Sequence, residues 1–143
     1  MDKWDQRFLE LAKHVSEWSK DPSTKVGAVI ADTDRRIVSI GYNGFPQGVA
    51  DHDFRLEDRD IKYKMIVHAE ANALLFAKKE DMYDCVLYTY PFMPCARCAG
   101  LIIQTGIWKV VAPKNDNPRW QEDFQYTRDM FREAKVELEE IWS

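Results

Sequence analysis

The chain has 143 residues, 45% of them hydrophobic and 13% aromatic, enough for one domain with a real core. A formal net charge of -4 excludes a general electrostatic pull toward nucleic-acid backbone or an anionic membrane surface. No apolar run approaches the ~20 residues of a membrane span, the charged opening MDKWDQRFLE is unlike a secretory signal, and three cysteines do not make a disulfide scaffold, so a reducing cytoplasm is expected.

In chain order, residues 4–18 set Trp4, Phe8, Leu11, Ala12, Val15 and Trp18 at helical spacing, and Asp21-Pro22 should break that helix. KVGAVIAD (25–32) reads as a buried strand, DTDRR (32–36) as a polar turn and IVSIGYN (37–43) as a second strand, which makes a hairpin. Residues 43–60 read as a loop, with glycines and prolines crowded at its start and dense charge after. MIVHAEANALLFAKK (65–79), rich in Ala and Leu, is predicted as one helix. CVLYTYP (85–91) is a strand. PCARCAGLIIQTG (94–106) is a helix with proline in its first turn and a stop at Gly106. IWKVVAP (107–113) is a strand, WQEDFQYTRDMFREA (120–134) a helix and KVELEEI (135–141) an edge strand. The order predicts an α/β fold, a three-layer α/β/α sandwich around a five-stranded mixed sheet. The opening hairpin is antiparallel and the second half pairs in parallel by crossover. With no repeat or linker, a single domain over 1–143 is expected.

The chemistry sits at Cys95-x-x-Cys98. Such a pair alone is redox, structural or metal-binding. A structural zinc site closes with four protein ligands, and the remaining candidates are Cys85, His14, His52 and His68, with no second pair. Three ligands with an open fourth position is the pattern of catalytic zinc. His68 is the best third ligand, because it opens one predicted helix as Cys95 opens another. Two helix N-termini meeting at one spot would favour thiolates. Glu70, two residues after His68, is placed as proton shuttle for a water in the open position. Taken singly, each residue has a plainer reading: a core histidine, a solvated helix glutamate, a structural cysteine pair.

HAE at 68–70 with PCARC at 94–98 matches the H-x-E…P-C-x-x-C pattern of zinc nucleobase deaminases. With SKDPSTKVGAVI (19–30), GYNGFPQG (41–48), HAEANA (68–73) and PCARCAGLIIQTGI (94–107), the chain resembles the deoxycytidylate (dCMP) deaminases from about Trp4 to Val136. That resemblance implies a cytidine-deaminase-like fold and hydrolysis of dCMP to dUMP and ammonia, supplying dUMP for thymidylate synthesis. It implies Zn2+ on His68, Cys95 and Cys98, with Glu70 as catalytic shuttle and Asn43 at the nucleotide sugar. Ala69 and Pro94 fall within its substrate site. TYPFMPC is one residue longer than the commoner Thr-x-Phe-Pro-Cys, which leaves open whether Tyr90 or Phe92 lines the base pocket. For the 5′-phosphate, Lys25 beside Ser23 and Thr24, and Arg119 before a helix, are the basic candidates; each is otherwise a solvated surface charge. The resemblance further implies a homohexamer, activated by dCTP and inhibited by dTTP with Mg2+. Gly41, Tyr42 and Gly44 would lie near the effector, with Phe76 and Lys79 as further contacts from one face of the helix that His68 begins. Other readings are a cytidine, guanine or tRNA adenosine deaminase, a non-enzymatic zinc module on nucleic acid, and an inactive regulatory paralogue. The acidic charge disfavours the nucleic-acid partners, and the intact His-Cys-Cys-Glu set disfavours the last.

Overall fold

The structure, a computed structural model, describes residues 2–141. Helix α1 (Lys3–Ser16) opens at Asp2, whose carboxylate accepts the Asp5 backbone N–H at 2.8 Å, an N-cap of the ordinary kind. It buries Phe8, Leu9, Ala12 and Val15. It ends two residues before Trp18, which lies exposed against Tyr42 rather than on the buried stripe.

Strand β1 (Gly27–Ala31) pairs antiparallel with β2 (Ile37–Tyr42) on one side and with β3 (Val86–Tyr90) on the other. Strands β4 (Lys109–Pro113) and β5 (Glu137–Ile141) follow in parallel, so the order is β2-β1-β3-β4-β5 with β5 at an edge. Every residue of β1 is buried, as expected of a strand covered on both faces. Val29 and Ala31 pack with Tyr88 and Val111 under α1. Ala28 and Ile30 pack with Leu87 and Val110 on the opposite face. That face is covered by α4 (Ala69–Leu75), α6 (Ala96–Thr105) and α7 (Pro118–Ala134), which completes the three layers. Helix α6 stops where the sequence says, at Gly106 with φ 87°.

Two expectations are corrected. Residues 43–60 are not loop throughout: α2 (Asp53–Glu57) lies within them and α3 (Arg59–Met65) begins at their end, capped by Asp58 through the Asp60 and Ile61 N–H groups. The predicted helix 65–79 is broken. Backbone at Ile66–His68 is extended, and an isolated bridge joins Val67 to Gly44; α4 ends at Leu75, and α5 (Lys79–Met82) is separate. Phe76 and Lys79 therefore do not share a helix face. Phe76 is the exposed C-cap of α4 and Lys79 begins α5.

Candidate active site

Sheet geometry brings distant segments to one end. Gly27 pairs with both Tyr42 and Tyr90, so the 19–26 segment, the residues after β2 and those after β3 converge there. The Val67 N–H donates to Gly44 O at 2.8 Å and the Gly44 N–H to Val67 O at 3.1 Å, which fixes His68 beside them.

His68 is the N-cap residue of α4 and Cys95 that of α6. The two helix starts face each other, as the sequence suggests. His68 Nδ1 lies 3.4 Å from Cys95 Sγ and 3.5 Å from Cys98 Sγ, and the three donor atoms all fall within 4.8 Å of one another. Cys95 and Cys98, three residues apart at a helix start, point the same way. The thiol of Cys98 and the His68 ring hold the Cys95 thiol well below its ordinary range, while the Cys95 thiolate and burial hold Cys98 up. The Cys95 thiolate in turn raises His68. One imidazole and two sulfurs, one already ionised, are donors of the kind that zinc takes, and they fit it. No fourth His, Cys, Asp or Glu joins this group among the described residues. Cys85 is elsewhere, buried, donating to Asp81 O and pushed up to about 11 by burial. His14 pairs with Glu17, and His52 stacks on Phe54.

Glu70 sits in the first turn of α4, 4% exposed. Burial, then the negative Cys95, pushes its carboxyl up to about 7. A carboxyl that titrates near neutrality beside a metal-type donor set is suited to carry protons.

Helix α7 secures the Pro94–Ala96 turn in a way the sequence did not disclose. Asp123 Oδ2 accepts the Ala96 N–H at 3.0 Å, and Thr127 Oγ1, fully buried, donates to Pro94 O at 2.9 Å. Nothing in WQEDFQYT distinguishes these two residues from other polar helix positions. Phe92 packs against Trp120 and Phe124 on the α4–α6–α7 face, whereas Tyr90 packs in the α1 layer with Lys13 over its ring.

The other named residues are placed as follows. Asn43 is 5% exposed; its Oδ1 accepts the Val26 N–H at 2.9 Å and its Nδ2 donates to Thr24 O at 2.9 Å and Asp21 Oδ2 at 3.4 Å. Asp21 Oδ1 also accepts the Ser23 and Thr24 N–H groups. The Lys25 ammonium donates to Ser19 O. Arg119 donates to Tyr63 Oη at 2.8 Å and lies over the Trp120 ring. Ala69 is fully buried. Gly41 lies so close to α4 that a Cβ there would be 2.5 Å from Ala69 O and from Ala73 N. Tyr42 O accepts from Asn72 Nδ2 at 2.8 Å. No helix among the described residues is long and apolar enough to cross a membrane.

The family model for the cytidine and deoxycytidylate deaminase zinc-binding region matches residues 2–114. The "uncharacterized deaminase in luxG 3′ region" of Aliivibrio fischeri is 48% identical over 141 residues, which is 96% of this chain and 93% of that protein. A probable deoxycytidylate deaminase of Caenorhabditis elegans is 42% identical over 142 residues, 97% of this chain and 70% of that one. Among solved structures, the dCMP deaminase of cyanophage S-TIM5 in complex with dCMP and dUMP superposes with a TM-score of 0.75 at 23% identity, covering 99% of each chain, a likeness of fold. By sequence match, fold and a paired His-Cys-Cys donor set beside a buried glutamate, this chain belongs to the zinc-binding cytidine and deoxycytidylate deaminase family.

Proposed function

We propose that this chain is a dCMP deaminase, converting dCMP and water to dUMP and ammonia. The observation that carries it is the His68–Cys95–Cys98 donor set, with Glu70 buried in the first turn of the helix that His68 opens. Relatives matching nearly the whole chain, including the mouse protein at 38% identity over 139 residues, are named deoxycytidylate deaminases.

Zinc held by His68, Cys95 and Cys98 supplies a Lewis acid that makes water nucleophilic at neutral pH. Glu70 accepts one proton of that water and delivers it to the ring nitrogen, where it stays, and then carries the second proton, from the oxygen added at C4, to the departing amine. Carbon C4 gains the water oxygen, and ammonia leaves. The buried position of Glu70 keeps bulk water from taking over the transfer. Asp123 and Thr127 hold the turn that carries Cys95. Phe92, on the face that holds α4 and α6, is the better placed aromatic for the base. Asn43, with one Oδ1 lone pair left, accepts from a sugar hydroxyl, and Ala69 and Pro94 border the ring. Arg119 and Lys25, the latter with the Ser23–Thr24 segment, meet the 5′-phosphate; the present partners of both cations, a tyrosine hydroxyl and a backbone carbonyl, are neutral and exchangeable. The family resemblance supports a cytoplasmic homohexamer tuned by dCTP and dTTP with Mg2+, the effector near Gly41, Tyr42 and Gly44.

A substrate panel tests this reading. dCMP should be turned over in strong preference to deoxycytidine and cytidine. Arg119→Ala should raise KM for dCMP about 10- to 150-fold, the worth of one charge-assisted contact, without changing the residual rate on deoxycytidine. Saturation curves with dCTP or dTTP and magnesium should move in opposite directions. Equal turnover of dCMP and deoxycytidine would remove the nucleotide assignment, and curves unmoved by either triphosphate would remove the regulation.

A further inference from the structure

Lys62 and Asp21 form an ion pair where few lysines are found. Lys62 Nζ lies 3.1 Å from Asp21 Oδ1, and the two side chains are only 8% and 5% exposed. Desolvating such a pair costs several kcal/mol per ion, so it is weak evidence for stability alone. Its partners show what else it does. The same Asp21 carboxylate accepts the Ser23 and Thr24 N–H groups and Asn43 Nδ2. The hydroxyl of Ser19 accepts the Asp21 N–H at 3.2 Å and donates to Asn43 O at 2.8 Å. Lys62 belongs to α3, and its carbonyl accepts the Ile66 N–H at 2.8 Å, one residue before the Val67–Gly44 bridge. A single buried charge pair therefore joins the 19–26 segment, Asn43 and the chain that runs directly into His68 and Glu70.

We propose that the Lys62–Asp21 pair is a positioning element of the active site. It clamps α3 to the 19–26 segment and so fixes, relative to His68 and Glu70, the wall formed by Ser23, Thr24 and Asn43. It touches no reacting atom. Lys62 holds Asp21, and Asp21, by accepting the Ser23 and Thr24 N–H groups and the Asn43 amide, sets the Ser23–Thr24 segment and the free Asn43 Oδ1 lone pair that the substrate's phosphate and sugar meet, a role that rests on the function proposed above. Loosening that wall weakens substrate binding while leaving Glu70 and the zinc donors in place, so the defect belongs in KM rather than kcat.

The test compares Lys62→Met with the double variant Asp21→Asn/Lys62→Met. The single variant leaves a buried unpaired carboxylate and is prone to unfold. The double variant buries no net charge and keeps an oxygen for the Ser23 and Thr24 N–H groups, which preserves the fold. Zinc content, dCMP kinetics and residue-resolved hydrogen exchange are measured on the folded proteins. In the double variant zinc should stay at the wild-type level and KM for dCMP should rise about tenfold or more, with kcat within about threefold. Exchange at Ser23, Thr24 and Val67 should quicken about tenfold or more while Val110 and Val111 in the sheet hold. Wild-type KM, or wild-type exchange at Ser23 and Thr24, in the double variant overturns the proposal and leaves a pair that serves stability alone. If wild-type protein does not turn over dCMP, the function proposed above fails, and the exchange pattern alone decides the clamp.

Discussion

Glu70 and His68 stand two residues apart and have opposite relations to water, the first buried and the second at the exposed start of α4. That contrast is set by the turn between them. His68 has extended backbone, ψ 154°, and only from Ala69 does the chain become helical, which carries Glu70 under the helix start. Replacing Glu70 by Gln keeps the shape and removes the group proposed to carry the proton. Turnover should fall by on the order of 10²–10⁴, while bound zinc, measured by elemental analysis, stays at the wild-type level. Wild-type turnover in that variant would take Glu70 out of the chemistry. At this scale the donor set was readable because both halves of it are short-range: His-x-Glu and Cys-x-x-Cys each specify geometry within one turn. Asp123 and Thr127 were not, because their importance arises only when α7 packs across α6, far along the chain. The Lys62–Asp21 contact, 41 residues apart in sequence, was invisible for the same reason.

Among the elements, strands and long helices follow the apolar pattern closely, and the errors cluster between β2 and α5. There the charged run hides α2 and α3, whose buried contribution is little more than Leu56 and Lys62. Asp58, which caps α3, stands among so many other charges that it marks no helix start by itself. The Ala- and Leu-rich stretch from 65 to 79 looked continuous because helix propensity carries no information about the tertiary bridge that holds Val67 extended. Gly41 is where β2 and α4 meet. A Cβ there must displace Ala69 or Ala73 backbone, whereas Gly44, three residues on, has nothing within 4 Å of that position. Gly41→Ala should therefore cost about 1–3 kcal/mol in chemical unfolding, as overpacking does. Gly44→Ala should stay within about 0.5 kcal/mol of wild type. Equal stability of the two variants would mean that α4 yields freely, and that Gly41 owes nothing to packing.

For the whole molecule, the order of elements was enough to anticipate a mixed five-stranded sheet between helices, and β5 at its edge. The antiparallel pairing of β1 with β3 had no local signature, yet it is what delivers Tyr90 and the Cys95 turn to the same sheet end as Asn43. The site is thus a property of topology: short motifs supply the donors, and the sheet brings them together. The central claim is that one zinc on His68, Cys95 and Cys98 works with Glu70 on dCMP. The most direct measurement is a zinc titration of chelator-stripped, refolded protein, following dUMP and ammonia together. Both products should appear in equal amounts, with activity rising to a plateau at one zinc per chain. A protein that holds one zinc per chain yet forms no dUMP would contradict the account.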